Sequence, residues 1–89
     1  MIKSLFKVIS QTEPTTINTK NGQTQKSTVV LQETGDQFAD SYVASLIGNQ
    51  VKFYNGDLVW AALRFSHREN NGALYQDIII KDIVSFSNH

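Results

Sequence analysis

Residues 56–66 read Gly-Asp-Leu-Val-Trp-Ala-Ala-Leu-Arg-Phe-Ser, and residues 73–86 read Ala-Leu-Tyr-Gln-Asp-Ile-Ile-Ile-Lys-Asp-Ile-Val-Ser-Phe. In the first segment apolar side chains recur at every second position from Val59 to Phe65, which is the period of a strand with one buried face. The second segment is dense in Ile and Val, residues that favour strands. We therefore expect a hairpin of two long strands and a polar loop, with bounds Leu58–Ser66, Tyr75–Phe86 and His67–Gly72.

Three further strands are predicted in the first half of the chain. The returning strand of the first pair would place Val29 and Leu31 on one face and Lys26, Thr28 and Val30 on the other. A long polar connection separates the first two strands, and its Asn21-Gly22 pair favours a turn. The expected strands are Ile2–Gln11, Gln25–Glu33 and Phe38–Ile47, with the polar loop at Thr12–Thr24 and room for a two-turn helix at Gly48–Asn55.

This order of elements predicts an all-β fold. Five strands, with a long loop after the first and at most one short helix between the third and fourth, are typical of the five-stranded Greek-key barrel called the OB-fold. At 89 residues the chain is expected to form a single domain, residues 1–89. A domain of this size has a modest core, so we also expect self-association as a homodimer or homotetramer.

The composition narrows the classes of function. Eight Lys and Arg balance eight Asp and Glu, which argues against a strongly basic nucleic-acid binder but permits a basic face on a neutral protein. The chain has no cysteine, so thiol nucleophiles and cysteine metal sites are excluded. The first residues lack an apolar run long enough for a signal peptide or a membrane span, and a cytoplasmic protein is expected.

An enzyme is not expected. The two histidines are His67 and the terminal His89, which leaves no histidine-rich metal cluster. Ser66 and His67 are neighbours on a strand and would point to opposite faces, as would Asp77 and Asp82. A glycine-rich phosphate loop is also missing, so we predict no catalytic residue, cofactor or metal.

The hairpin carries a resemblance to a known family. The segments Gly56–Ala61, Leu63–Phe65 and Asn71–Ile78 resemble the fourth and fifth strands of bacterial single-stranded-DNA-binding proteins. Shorter similarities lie at Lys7–Ile9, Val30–Leu31, Asp36–Phe38 and Gly48, so the resemblance covers nearly the whole chain. It implies that a single strand binds in a groove over the second and third strands, using cations and aromatic platforms for the bases.

The resemblance also implies which residues contact the nucleic acid. Cations would lie in or beside the first loop and at the start of the second. Two aromatic side chains are added from the sequence itself, Tyr42 for a register shifted by one residue and Trp60 as an outward aromatic of the fourth strand. The predicted nucleic-acid-binding residues are Lys20, Lys26, Tyr42, Trp60, Arg64, His67 and Arg68.

The chain departs from the family on the third strand. The outward aromatic positions of the family fall at Ser41 and Ile47, so the usual stacking pair is missing. Tyr42 or Phe38 would substitute if the register were shifted by one residue, because such a shift exchanges the two faces. Trp60 has two interpretations, a stacking platform or a residue at a subunit contact.

The sequence is therefore consistent with two functions. The first is a binder of single-stranded DNA, or RNA, in replication, repair or mobile-element transfer. The second is a protein-interaction or replication-accessory barrel with little nucleic-acid affinity. The hairpin similarity favours the first, whereas the neutral charge and the residues at Ser41 and Ile47 favour the second.

Overall fold

A computed structural model of the protein describes residues 1–35 and 39–87, and these residues form six strands and no helix. Period-two alternation of buried and less buried side chains is seen in three of the strands, as expected when one face of a sheet is covered. The strands are β1 Ile2–Gln11, β2 Thr15–Thr19, β3 Gly22–Glu33, β4 Ser41–Ile47, β5 Leu58–Asn70 and β6 Ala73–Ser85.

The six strands belong to one sheet that closes on itself. Their order is β1-β5-β6-β4-β3-β2, and β1 also pairs with β3, so hydrogen bonds form a ring through β1, β5, β6, β4 and β3. All pairings are antiparallel except that of β4 with β6, where Ser45 lies opposite Ile79 in a parallel pair. The all-β prediction is confirmed, and the fold is barrel-like, with β2 as a sixth strand outside the ring.

The ring encloses the hydrophobic core. Val29 and Leu31 of β3 are fully buried, and so are Val59, Ala61 and Leu63 of β5, which confirms the inward faces predicted from the period of two. Removing a fully buried Leu side chain from such a core costs about 2 to 5 kcal/mol. The core cluster consists of Phe6, Val8, Val29, Leu31, Ala44, Leu46, Phe53, Val59, Ala61, Leu63 and Ile80.

The hairpin of β5 and β6 is longer than predicted. The expected loop at His67–Gly72 is wrong, because β5 continues to Asn70 and the connection is a two-residue turn. Asn71 has φ 53° and Gly72 has φ 82°, a pair of left-handed residues typical of the turn that matches the twist of a hairpin. His67 and Arg68 are therefore strand residues, paired with Gln76 and Tyr75.

The polar segment between β1 and β3 contains β2. The reversal at Asn21-Gly22 is confirmed, but Thr15–Thr19 pairs with β3 from Lys26 to Gly22 and is not a loop. β1 pairs with the other half of β3, so β1 and β2 follow one another along the same edge. Pro14 lies in the gap between them, which fits its lack of a backbone donor.

The helix expected at Gly48–Asn55 is wrong. Backbone donors in this segment bind partners outside it, since Gly48 N–H donates to the Gln25 carbonyl at 2.9 Å and Phe53 N–H donates to the Gln11 side chain at 2.7 Å. These long-range bonds replace the hydrogen bonds of a helix. The apolar Phe53 ring is still 95% buried, because the segment covers one end of the barrel.

The third predicted strand begins later than expected. β4 starts at Ser41 rather than at Phe38, and residues 39 and 40 lie outside regular structure. Phe38 itself lies outside the described residues. The C-terminal bound of the strand, Ile47, is as predicted.

Candidate nucleic-acid interface

The outer surface of β3 and β4 combines polar and aliphatic side chains and is bordered at its two ends by hairpin arms. Ser27, Val29 and Leu31 point into the barrel, so the alternate residues of β3 point outward. The register then pairs outward residues of the two strands: Lys26 with Ile47, Thr28 with Ser45, Val30 with Val43 and Gln32 with Ser41. We call these eight residues the β3–β4 face.

The two arms extend from opposite ends of the β3–β4 face. The β2–β3 hairpin lies beyond Lys26, whereas the tip of the β5–β6 hairpin lies beyond Ser41, because β6 runs parallel to β4 and Ala73 precedes Ile79 by six positions. The long axis of the molecule measures 38 Å, and its radius of gyration of 13.7 Å exceeds the value of about 12 Å expected for a compact domain of this length. The arms lengthen the molecule, and we call the β3–β4 face together with its two arms the trough.

The lysines predicted at the first loop lie on or near this face. Lys26 is half-buried on the outward side of β3, between Thr15 of β2 and Ile47 of β4. Lys20 is exposed in the turn at the tip of the β2–β3 arm. The structure therefore places one lysine on the trough and the other at its border.

Arg64 and Arg68 share the outward side of β5. Arg64 is exposed opposite Ile79, which in turn lies opposite Ser45, so the arginine extends a row that reaches the β3–β4 face. β4 and β6 lie between β3 and β5, so Arg64 is three strand spacings from Thr28, and each spacing is about 4.8 Å. Arg64 is the predicted cation on β5 that continues the trough.

Arg68 is held in place by two neighbours on β6. Its Nε donates to the Asp77 carboxylate at 3.1 Å, and its guanidinium lies over the Tyr75 ring at 4.8 Å from the centroid. Both side chains of the ion pair are partly exposed, so the pair itself adds little stability. The contacts fix the orientation of the guanidinium and neutralise part of its charge.

Tyr75 is an aromatic residue of this surface that the sequence analysis left outside the binding set. It is 45% exposed on the outward side of β6, directly opposite Arg68. The signal was available in the alternation of β6, where Tyr75, Asp77 and Ile79 occupy the positions facing away from Ile78 and Ile80. A base stacked there would meet a ring already paired with a cation.

His67 lies on the other side of the β5–β6 arm. It alternates with Arg68 along β5 and pairs with Gln76, so it shares a side with Phe65 rather than with the arginines. The side chain is exposed. The structure does not bring His67 together with the β3–β4 face.

Tyr42 points inward. Its ring makes edge contacts with Phe6 at 5.8 Å and Phe65 at 6.1 Å, and its hydroxyl donates to Oε1 of Glu33 at 2.9 Å. That hydrogen bond, together with burial and nearby carboxylate charge, raises the pKa of Tyr42 above its ordinary value. The shifted register that would turn Tyr42 outward is not adopted, and Ser41 and Ile47 are the outward residues of β4.

Trp60 lies away from the trough. It is half-buried on the outward side of β5, between Leu5 of β1 and Val84 of β6. β1 and β6 flank β5 in the ring, whereas β3 and β4 lie across the barrel from it. Of the seven predicted residues, Lys26 lies on the β3–β4 face, Lys20 and Arg68 lie on its two arms, and Arg64 lies on β5, two strands from β4. Tyr42, Trp60 and His67 lie elsewhere.

A separate cleft of about 250 Å³ lies at one end of the barrel, between residues 11–14 and 50–53. The Gln50 amide nitrogen donates to the Leu46 carbonyl at 2.9 Å, while its buried Oε1 has no hydrogen-bond partner. The cleft is small compared with the 300 to 1,000 Å³ typical of ligand pockets, as a rough guide. It joins none of the cations around the trough.

Within residues 1–35 and 39–87, no group of three or more His, Cys, Asp or Glu side chains is placed to hold a metal ion. The same residues include no helix with the length and apolar character needed to cross a membrane. No protein-family model matches the sequence, and no curated protein matches it.

Proposed function

We propose that the protein is a single-stranded nucleic-acid-binding module built on an OB-fold barrel. The observation that carries the proposal is the strand connectivity, a five-strand ring in which the one parallel pair joins β4 to β6. The Greek-key barrel of the OB-fold binds oligonucleotides on the face of its second and third strands, between two loops. In this chain the equivalent surface is the β3–β4 face between its two hairpin arms.

The side chains of the trough support the same proposal. Lys26 and Arg64 lie on one continuous outward surface, with Lys20 at one border and Arg68 at the other. Backbone phosphates would follow these cations, and Tyr75 would offer a stacking platform worth about 1 to 3 kcal/mol per base. Because the protein has no net charge, individual phosphate contacts along this surface rather than a long-range field would attract the strand.

The test is a titration of fluorescein-labelled oligo-dT, followed by anisotropy at two or more salt concentrations. Four phosphate contacts would give a slope of log K against log salt of about −3, since single strands release about 0.7 counterions per contact. A matched oligo-U series would separate a DNA preference from an RNA preference. Absence of binding at tens of micromolar protein would remove the proposal.

The alternative function is a protein-interaction or replication-accessory module. Two observations favour it: Ser41 and Ile47 are the outward residues of β4 at the positions where single-stranded-DNA-binding proteins have stacking aromatics, and apolar side chains are exposed around Trp60. In either function we propose a homo-oligomer, because a domain of 89 residues buries a modest core. Loss of oligo-dT binding together with retained self-association would favour the alternative.

A further inference from the structure

The outward surface of β1, β5 and β6 carries an apolar centre with charged margins. Since Phe6, Val8 and Val59 point into the barrel, the alternate positions of β1 and β5 point outward. Register then aligns outward residues of the three strands in rows. The rows are Lys3–Ala62–Asp82, Leu5–Trp60–Val84 and Lys7–Leu58–Phe86. We call these nine residues the β1–β5–β6 face.

The exposed apolar side chains of this face are contiguous. Leu5 is 42% exposed, Leu58 40%, Val84 48% and Phe86 59%, and half-buried Trp60 lies between them. Three strands at about 4.8 Å spacing and five positions at about 3.3 Å cover on the order of 200 Å² in projection, and more as accessible surface. Isolated apolar residues on a surface are ordinary, but contiguous patches of a few hundred Å² mark interaction sites.

We propose that the β1–β5–β6 face binds the same face of a second copy of this chain, with the two-fold axis running along β5. The charged row decides this arrangement. Rotation about an axis parallel to β5 places β1 of one copy over β6 of the other, so Lys3 meets Asp82 of the second copy and Asp82 meets its Lys3. Leu5 likewise meets Val84, and Trp60 meets Trp60 on the axis. Lys7 meets Phe86 of the second copy, where a cation faces an aromatic ring, which is a favourable pair.

The other in-plane axis is unfavourable. A two-fold axis perpendicular to the strands through the Leu5–Trp60–Val84 row would place β1 over β1, with Lys3 of one copy against Lys7 of the other. It would also place Asp82 against the apolar Phe86. Like charges facing each other at an interface cost affinity, so the charge pattern selects the axis along β5.

This contact is centred on β5, the one strand of the ring that pairs with neither β3 nor β4. Its margins on β1 and β6 adjoin the β3–β4 face, but the axis of the proposed dimer lies away from that face. The patch is small for a permanent interface, and a dissociation constant on the order of 10 to 100 μM is expected. The dimer would therefore be in equilibrium with the monomer at ordinary laboratory concentrations.

The first experiment is sedimentation equilibrium of the full chain over a concentration series up to about 500 μM, compared between two variants. Val84→Glu puts a carboxylate in the apolar row and should raise the dissociation constant at least about tenfold. Val43→Glu is the matched control, because Val43 is 63% exposed on the β3–β4 face. It should leave the dissociation constant unchanged, and circular dichroism verifies that both variants fold.

The second experiment tests the axis through charge reversal. Lys3→Asp alone and Asp82→Lys alone each place like charges at both margins of the dimer, so each variant should dissociate more readily than the wild type. An equimolar mixture of the two variants places opposite charges at both margins, and association should return as a heterodimer. A merely structural effect of either substitution would not be reversed by mixing.

The two experiments give distinct results for a dimer through this face and for its absence. Weakened association of Val84→Glu, an unaffected Val43→Glu and recovery in the mixture would support the proposal. A wild type that stays monomeric at 500 μM, at about 5 to 50 times the dissociation constant expected for a patch of this size, would overturn it. So would a dimer insensitive to Val84→Glu, or variants that fail to recover on mixing, and none of these results bears on oligo-dT binding.

Discussion

Gln11 and Phe53 are joined by a 2.7 Å hydrogen bond in which Oε1 of the glutamine accepts from the backbone N–H of Phe53. The amide nitrogen of Gln11 donates to the Val51 carbonyl at 2.9 Å and to the buried Ser27 hydroxyl at 3.1 Å. One side chain at the end of β1 thus binds both β3 and the segment that covers the barrel end. It holds Phe53 where its ring fills the core.

Gln11→Ala should therefore destabilise the fold by about 1 to 3 kcal/mol, since partly buried partners lose their hydrogen bonds. The free energy of unfolding is measured by urea denaturation. Gln76→Ala is the control, because Gln76 makes a short but exposed bond, 2.7 Å to the Ser66 carbonyl, and should cost less than about 0.5 kcal/mol. Equal losses of unfolding free energy in the two variants would show that the hydrogen bonds of Gln11 do not hold the 51–53 segment on the barrel.

The pH dependence of stability should reveal Tyr42. Its hydrogen bond to Glu33 raises its pKa in the folded protein, so the folded state holds the phenolic proton more tightly than the unfolded chain does. This contribution is complete below the unfolded value of about 10 and is lost as the pH rises through the folded value. Tyr42→Phe should flatten the fall in stability above about pH 10.

Denaturant unfolding of the wild type and Tyr42→Phe at several pH values measures this difference. Tyr75→Phe is the control, because Tyr75 is exposed on the β5–β6 arm and contacts Arg68 through its ring. At neutral pH Tyr42→Phe should lose about 1 kcal/mol for the missing hydrogen bond. If the wild type and Tyr42→Phe lose stability in parallel above pH 10, Tyr42 does not have the proposed linkage.

The turn at Asn71-Gly72 gives a third prediction. A Cβ added at Gly72 would meet no atom within 4 Å, so the cost of Gly72→Ala comes from its φ of 82° and not from a clash. We expect a loss of about 1 kcal/mol, measured by thermal or urea unfolding. Asn71→Gly keeps the left-handed turn and should change stability by only a few tenths of that, as a rough figure. An unaffected Gly72→Ala variant would show that the arm does not contribute to the cooperative unit.

Much of the barrel was predictable because buried strands carry a period of two. The inward faces of β3 and β5 were predicted from this signal, whereas the bounds of β1, Ile2–Gln11, were predicted from its β-branched and aromatic residues. Those faces have strong patterns because each inward residue touches the core and each outward residue touches solvent. The sequence also indicates the reversal at Asn21-Gly22, because the positive φ of a tight turn depends on the turn residues themselves and not on distant contacts.

The sequence did not predict the strand segments that are exposed on both faces, because such segments show no alternation of apolar and polar residues. β2 reads Thr-Thr-Ile-Asn-Thr and buries almost nothing, so its strand conformation comes from pairing with β3 and leaves no alternation to detect. The outer half of β5, from His67 to Asn70, is exposed for the same reason. The helix expected at Gly48–Asn55 was wrong because Gln11, far away in sequence, takes the backbone donor of Phe53.

The candidate site was harder to predict than the fold. Alternation places Trp60 and Arg64 on the same side of β5, but it does not say which strands flank them. The ring places Trp60 between β1 and β6, whereas Arg64 continues a row toward β4 through Ile79. Two residues four positions apart on one strand therefore have different neighbours, and the register of β1 and β6 along β5 is what separates them.

The last prediction concerns the trough. Lys26→Ala combined with Arg64→Ala should weaken oligo-dT binding and reduce the salt slope by about 1.4, because each lost phosphate contact removes about 0.7 from it. The two cations lie on outward positions of β3 and β5 that share one surface through Ser45 and Ile79. Anisotropy titrations of labelled oligo-dT at several salt concentrations measure both quantities.

Lys3→Ala combined with Lys52→Ala is the matched control, since it removes the same two positive charges from positions outside the β3–β4 face: Lys3 pairs with Ala62 of β5, and Lys52 lies in the segment between β4 and β5. If phosphate contact is local, the control keeps the wild-type slope while the trough variant does not. If both double variants weaken binding equally, only the total charge matters, and the assignment of the β3–β4 face as the binding surface is wrong. Titrating at protein concentrations well below those that favour self-association keeps any effect of Lys3 on dimer formation out of the comparison.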